Sequence, residues 1–220
     1  MFQRFLDFFR RMPKEKNRFG LRAVLVIIAV CCQGFGVFWL NQVDFGTDPC
    51  SVLNYGISSK VGLPFGTTLL IFNILLFMAV LAFGREQIGL GTLANAILVG
   101  YSADFTQWVF SHFLPEGFFE PFKTRVSIMI PALIWFVIAA STYMAVDLGQ
   151  SPYDSIPAIV SRKLPKIPFM VIRIAWDGLM TLGGFLLGGT VGIVTVAMVF
   201  MLGPVITAIK KFLQKNLGFN

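Results

Sequence analysis

Asp44-Phe45-Gly46-Thr47-Asp48-Pro49-Cys50-Ser51 returns 103 residues later as Asp147-Leu148-Gly149-Gln150-Ser151-Pro152-Tyr153-Asp154. Each copy separates a long apolar segment from a short polar one. At a shift of 103 or 104 residues the agreement continues: Pro64-Phe65 meets Pro168-Phe169, Asn73 meets Asp177, Gly84 meets Gly188, Gly89 meets Gly192, Thr92 meets Thr195 and Gly100 meets Gly203. Scattered glycines would not keep one register, so the pattern is that of an internal duplication. Its period is too long for a solenoid, whose repeats run to about 20 to 50 residues.

Composition fixes the class. Hydrophobic residues make up 56% of the chain and charged residues 13%, with a mean hydropathy of +0.76; a soluble domain carries roughly a quarter charged residues. Six windows, 21–40, 65–83, 88–110, 126–146, 168–187 and 191–209, each approach the roughly 20 residues that a helix needs to cross a bilayer. Their continuous apolar character excludes a barrel, whose strands alternate over about ten residues. The expected fold is an all-α polytopic membrane bundle of two three-helix repeats in inverted topology, each with a short broken or re-entrant helix. Its parts are a basic amphipathic interfacial segment (1–20), a first repeat (21–111), a connecting loop (112–124), a second repeat (125–209) and a basic tail (210–220).

The net charge of +7 lies chiefly at the two ends: Arg4, Arg10, Arg11, Lys14, Lys16, Arg18 and Arg22 crowd one, and Lys210, Lys211 and Lys215 the other. Both termini therefore read as cytoplasmic, and the charge does not call for nucleic acid. With six crossings only Lys60, Lys123 and Arg125 fall outside; with eight crossings only Arg85 does. Charge does not choose between them. The motif segments 47–63 and 150–166 do, because Asp48, Lys60, Asp154, Arg162 and Lys163 would each cost about 2.5 to 3.5 kcal/mol at mid-membrane. In the N-terminal segment Phe2, Phe5, Leu6 and Phe9 recur at helical spacing opposite Arg4 and Arg10, a pattern that suits a helix lying on anionic lipid. No signal-peptide cleavage pattern is evident, so the first span is expected to remain as an anchor.

Each motif reads as a helix start. Asp48 or Ser151 supplies the N-cap oxygen, Pro49 or Pro152 takes the first helical position, and Gly46 or Gly149 permits a sharp turn. A helix start carries unpaired N–H groups and partial positive charge. Within a membrane such backbone survives only when buried in protein or lining a wet cavity. Two starts brought together by inverted repeats make a solute site of the kind found in secondary transporters. The candidate binding residues are Gly46, Asp48, Pro49 and Ser51 with Gly149, Ser151, Pro152, Tyr153 and Asp154.

Ionisable groups within spans are functional candidates by default. Asp177, with Asn73 at the equivalent depth, is a candidate for coupling to protons or cations; Arg173, four residues earlier on the same face, could instead hold it in a structural ion pair. Asp104 is a weaker candidate, and Asn95 reads as interhelical glue. No phosphate loop, nucleophile elbow or metal-ligand spacing occurs, so no catalytic residue, metal or cofactor is expected and the chain does not read as an enzyme. Cys31, Cys32 and Cys50 form no disulfide framework.

Residues 44–73 and 147–177 resemble the YczE/YyaS/YitT family of bacterial multipass membrane proteins, which carry leucine-glycine-x-x-proline followed by an aromatic and an acidic residue. Leu148, Gly149, Pro152, Tyr153 and Asp154 match this pattern; Phe45, Cys50 and Ser51 depart from it in the first copy. The resemblance covers most of 24–208 and implies a bacterial inner membrane, with no substrate attached. The function expected is transport of a small anionic or zwitterionic solute. A non-transporting accessory or scaffold protein is the alternative, and a homo-oligomer is compatible with either.

Overall fold

The computed structural model describes residues 18–219 and is all-helical. The expected interfacial helix near the N-terminus lies outside those residues. Eight α-helices follow in order: α1 (Phe19–Val43), α2 (Pro49–Val61), α3 (Phe65–Phe83), α4 (Leu90–Phe113), α5 (Phe122–Val146), α6 (Pro152–Lys163), α7 (Phe169–Leu186) and α8 (Ile193–Leu217). Each half thus runs long, short, long, long. The helices α2 and α6, of 13 and 12 residues, reach about 18 to 20 Å at 1.5 Å per residue, short of the roughly 30 Å hydrocarbon core.

Among the described residues, five helices are long and apolar enough to cross a membrane: α1, α3, α5, α7 and α8. The sequence leads one to expect a sixth, α4. At 24 residues it is long enough, but Asn95, Ser102, Asp104, Thr106 and Gln107 lower its hydropathy. Large apolar side chains point outward along the long helices, among them Ile28, Ile71, Leu75, Ile134, Leu179 and Phe200. A soluble monomer rarely exposes so continuous an apolar surface; lipid accommodates it. The expected basic tail, 210–220, is helical as far as Leu217, where α8 ends, and Phe219 is buried in the core.

The interior is built around α1 and α5. Val26, Val30, Val37 and Leu40 of α1 pack with Phe136, Ala140 and Tyr143 of α5, flanked by Val99 and Ala103 of α4 and by Met198 and Leu202 of α8. The central pair is antiparallel, and the hydrogen bonds at its two ends show it. Arg22, near the start of α1, donates to the Val146 carbonyl at the end of α5 at 2.9 Å. Arg125, near the start of α5, donates through Nε to the Val43 carbonyl at the end of α1 at 2.8 Å. The two arginines are 103 residues apart, as are their acceptors. Midway along, Trp135 donates to the carbonyl of Cys32 at 2.9 Å, again across 103 residues. Equivalent positions therefore meet each other at the centre of the bundle, and the second half runs opposite to the first.

Each arginine satisfies a helix-end carbonyl that has no intrahelical donor. Arg22 is 3% exposed and its guanidinium lies 4.5 Å from the centre of the Phe219 ring. Arg22→Met is expected to cost about 1 to 3 kcal/mol by leaving the Val146 carbonyl unpaired. The check is the thermal unfolding midpoint in detergent; an unchanged midpoint would show that the carbonyl finds another donor.

The short helices are exchanged between the halves. In the first half α2 packs on α7 of the second, and α6 of the second packs on α3 of the first. The glycine-rich end of α7 makes this close approach feasible: a Cβ at Gly184 would meet the Leu53 backbone nitrogen at 2.7 Å, and one at Gly189 would meet the Val52 carbonyl oxygen at 2.3 Å.

Candidate functional site

At the end of α1, Asp44 adopts a left-handed conformation with φ 56°, and Asp147 does the same at the end of α5. Short acids tolerate that region better than most side chains. The chain then turns back at Gly46 (φ 91°) and Gly149 (φ 105°), where a side chain is strained. Each turn docks on the start of the last long helix of the other half. The Val194 amide donates to the Phe45 carbonyl at 3.1 Å, and the Gly91 amide to the Leu148 carbonyl at 2.7 Å.

From these turns the chain enters the bundle and a helix starts in each half. Asp48 Oδ1 accepts from the Ser51 amide at 3.2 Å and Pro49 follows at the first helical position. Ser151 Oγ accepts from the Asp154 amide at 3.0 Å and Pro152 follows likewise. The second-position amides of Cys50 and Tyr153 are among those a helix leaves without an intrahelical acceptor. The two starts come from opposite ends of the α1/α5 pair. Asp48, Pro49, Cys50 and Ser51 nevertheless line the same cavity as Ser151, Tyr153 and Asp154, together with Gln33, Asn73, Asn95 and Arg173. Its volume is about 60 Å³, room for a few waters and far below the roughly 300 to 1,000 Å³ of a drug-sized site.

One wall of the cavity is an ionic network. Arg173 Nη1 donates to Asp154 Oδ1 at 2.5 Å and Arg173 Nε to Asp177 Oδ2 at 2.8 Å. The Tyr153 hydroxyl donates to Asp177 Oδ1 at 2.6 Å, and Ser151 Oγ to Asp154 Oδ2 at 2.6 Å. Asp177 is 1% exposed. Every carboxylate oxygen of Asp154 and Asp177 thus has a partner, which is what buried charge requires. Asp48 differs. It is buried, and its Oδ2 has no hydrogen-bond partner among the described residues.

The expected site residues separate into three sets. Asp48, Pro49, Ser51, Ser151, Tyr153, Asp154, Arg173 and Asn73 line the cavity. Gly46, Gly149 and Pro152 shape the backbone behind it, and Asp177 is held just beyond it by Arg173 and Tyr153. Asp104 is elsewhere: its Oδ2 accepts from the Gly66 amide at 2.8 Å and caps the start of α3. Asn73 Nδ2 donates to the Ala96 carbonyl at 3.4 Å, which ties α3 to α4.

The sequence profile of the family of unknown function DUF6198 matches residues 20–211. The chain belongs to this family. An "Uncharacterized protein" of Haemophilus influenzae is 24% identical over 185 residues, covering 83% of this chain and 80% of its own length. No solved structure matches. The region shared with DUF6198 contains both motifs, both capping arginines and the Arg173 network.

Several contributors to the candidate site are not evident as such from sequence. Cys50 reads there as uninformative, yet it lines the cavity. Gln33 lines it from α1 and lies 3.4 Å from Asn95 Nδ2. The Tyr143 hydroxyl donates to the Gly149 carbonyl at 3.2 Å and holds the second turn. A signal for the arginine caps was present in the spacing: Arg22 and Arg125 lie 103 residues apart, as the two motif copies do, although their charge alone reads as topology.

Proposed function

We propose that this protein is a secondary transporter of a small zwitterionic solute, built by internal duplication, lying in a bacterial inner membrane with both termini cytoplasmic. The YczE/YyaS/YitT resemblance and the terminal lysines and arginines support that location. The observation that carries the function is the meeting of two helix starts, from opposite ends of the bundle, at one polar cavity lined by Asp48, whose Oδ2 is buried without a hydrogen-bond partner among the described residues.

The chemistry of the lining favours a zwitterion over a simple anion. Arg173 is already engaged by Asp154 and Asp177, so it offers little net positive charge to an incoming anion. An ammonium group suits Asp48 Oδ2, and a carboxylate suits the first-turn amides of Cys50 and Tyr153 and the positive ends of their helices. One small molecule carrying both charges satisfies both sets. The pairing of Asp177 with Arg173 favours a positioning role for Asp177 over coupling, and leaves Asp48 as the carboxylate available to a solute or proton.

The accessory-protein reading would be supported by an Asp177–Arg173 pair with no adjoining cavity. The pair is formed, and a cavity adjoins it. The test is uptake of radiolabelled glycine, β-alanine and taurine into proteoliposomes. Asp48→Asn is expected to lower uptake of the transported zwitterion by about 10- to 100-fold, the worth of a hydrogen bond to a charged group. No uptake of any of the three by the wild type, or equal uptake by the variant, would count against the proposal.

A further inference from the structure

The two halves match in sequence register but differ at one seam. In the first half, Gly66 of α3 lies against Gly100 of α4: a Cβ at Gly100 would meet the Gly66 Cα at 2.6 Å. The Asp104 carboxylate bonded to the Gly66 amide locks that contact. In the second half the corresponding positions are Met170 of α7 with Gly203 and Thr207 of α8. There the helices stand apart. A Cβ at Gly203 would come no closer than 4.0 Å to an atom of α7, the nearest being Cγ of Arg173. A groove of about 430 Å³ occupies the gap, lined by Met170, Arg173, Gly203, Thr207 and Lys211.

Because the halves are inverted, these seams lie toward opposite ends of the bundle, the sealed one toward Arg125 and the open one toward Arg22. Arg173 lines both the groove and the central cavity. We infer that the α3–α4 and α7–α8 seams are reciprocal gates to the central site, and that the structure is the state closed at the Arg125 end and open at the Arg22 end. The inference rests on the transporter reading and adds its route. Closing one seam while opening the other exchanges the shapes of the two halves, which is how inverted repeats alternate access. Gly203 supplies the flat surface that lets α8 close on α7, as Gly100 does for α4 on α3. Asp104 is then a latch on the closed seam.

Equivalent alanine substitutions should have opposite effects. Gly203→Ala fits the open seam and obstructs its closure; Gly100→Ala overpacks the closed seam and favours its opening. The reporter is the rate at which a charged methanethiosulfonate reacts with Thr207→Cys in purified protein carrying Cys31→Ala, Cys32→Ala and Cys50→Ala. Gly203→Ala is expected to keep or raise the rate, and Gly100→Ala to lower it, by about fivefold where the overpacking cost exceeds the bias toward the open seam by about 1 kcal/mol. Asp104→Asn, which weakens the latch without adding volume, should lower the rate in the same direction and serves if Gly100→Ala does not fold. An unchanged or raised rate with the Gly100 or Asp104 variant, or a lowered rate with Gly203→Ala, would overturn reciprocity. Labelling needs no solute, so it can fail while zwitterion binding stands, and the reverse.

Discussion

Arg173→Met is expected to abolish most of the folded protein. The guanidinium is the partner of two buried carboxylates, Asp154 at 2.5 Å and Asp177 at 2.8 Å. Methionine preserves much of the apolar stem but leaves two negative charges facing each other without a cation. Removing one partner of a buried pair costs about 3 to 5 kcal/mol, a large fraction of the roughly 5 to 15 kcal/mol that holds a typical fold together. The expected readout is a collapse of the thermal unfolding midpoint and loss of the monodisperse species in detergent. Neutralising the acids as well, with Asp154→Asn and Asp177→Asn in the same chain, should recover most of that stability, because a buried network replaced as a unit leaves no uncompensated charge. A single Arg173→Met variant as stable as the wild type would mean that the carboxylates do not depend on the arginine for compensation.

The second large effect belongs to the turns that lead into the site. Gly149→Ala places a Cβ 2.5 Å from the Gly89 amide nitrogen and 2.6 Å from Thr92 Oγ1, at a φ of +105°. Left-handed backbone costs a side-chain-bearing residue about 1 to 2 kcal/mol, and forcing atoms into a packed contact costs about 1 to 3 more. A loss of about 2 to 5 kcal/mol follows, measured as a lowered unfolding midpoint. Gly46→Ala should behave alike, since its Cβ would meet Thr195 Oγ1 and the Gly192 amide. Gly188→Ala is the control: it has φ +91° and open space around it, so only the backbone strain of about 1 to 2 kcal/mol applies. Equal losses at 149 and 188 would show that the contact with Gly89 and Thr92 is not tight.

These two predictions also mark what the sequence makes legible. The turns, caps and first-position prolines could be read because Gly46, Asp48 and Pro49, with Gly149, Ser151 and Pro152, act through local backbone chemistry that residue identity determines. Membrane helices were legible from hydropathy. The exception was α4, whose length and many apolar residues suggest a span although Asn95, Ser102, Asp104, Thr106 and Gln107 lower its mean hydropathy. Tertiary roles were less accessible. Nothing local to Arg173 says that it binds Asp154, nineteen residues away in sequence, as well as Asp177 on its own helical face. Asp104 and Asp48 are both acids set in apolar surroundings. Only packing reveals that one caps α3 while the other lines the cavity and has a carboxylate oxygen buried without a hydrogen-bond partner among the described residues.

Under the proposed function the paired helix starts bind a small molecule carrying both charges, with Asp48 taking its positive end. Thermal unfolding of the purified protein with glycine, β-alanine or taurine, set against acetate and methylammonium at equal concentration, tests it most directly. A ligand that binds only the folded state raises the midpoint in proportion to ln(1 + [L]/Kd). A concentration-dependent rise is expected with at least one zwitterion, with a smaller or no rise for acetate or methylammonium and loss of the rise in Asp48→Asn. Stabilisation by acetate alone, or a zwitterion effect that survives Asp48→Asn, would contradict it.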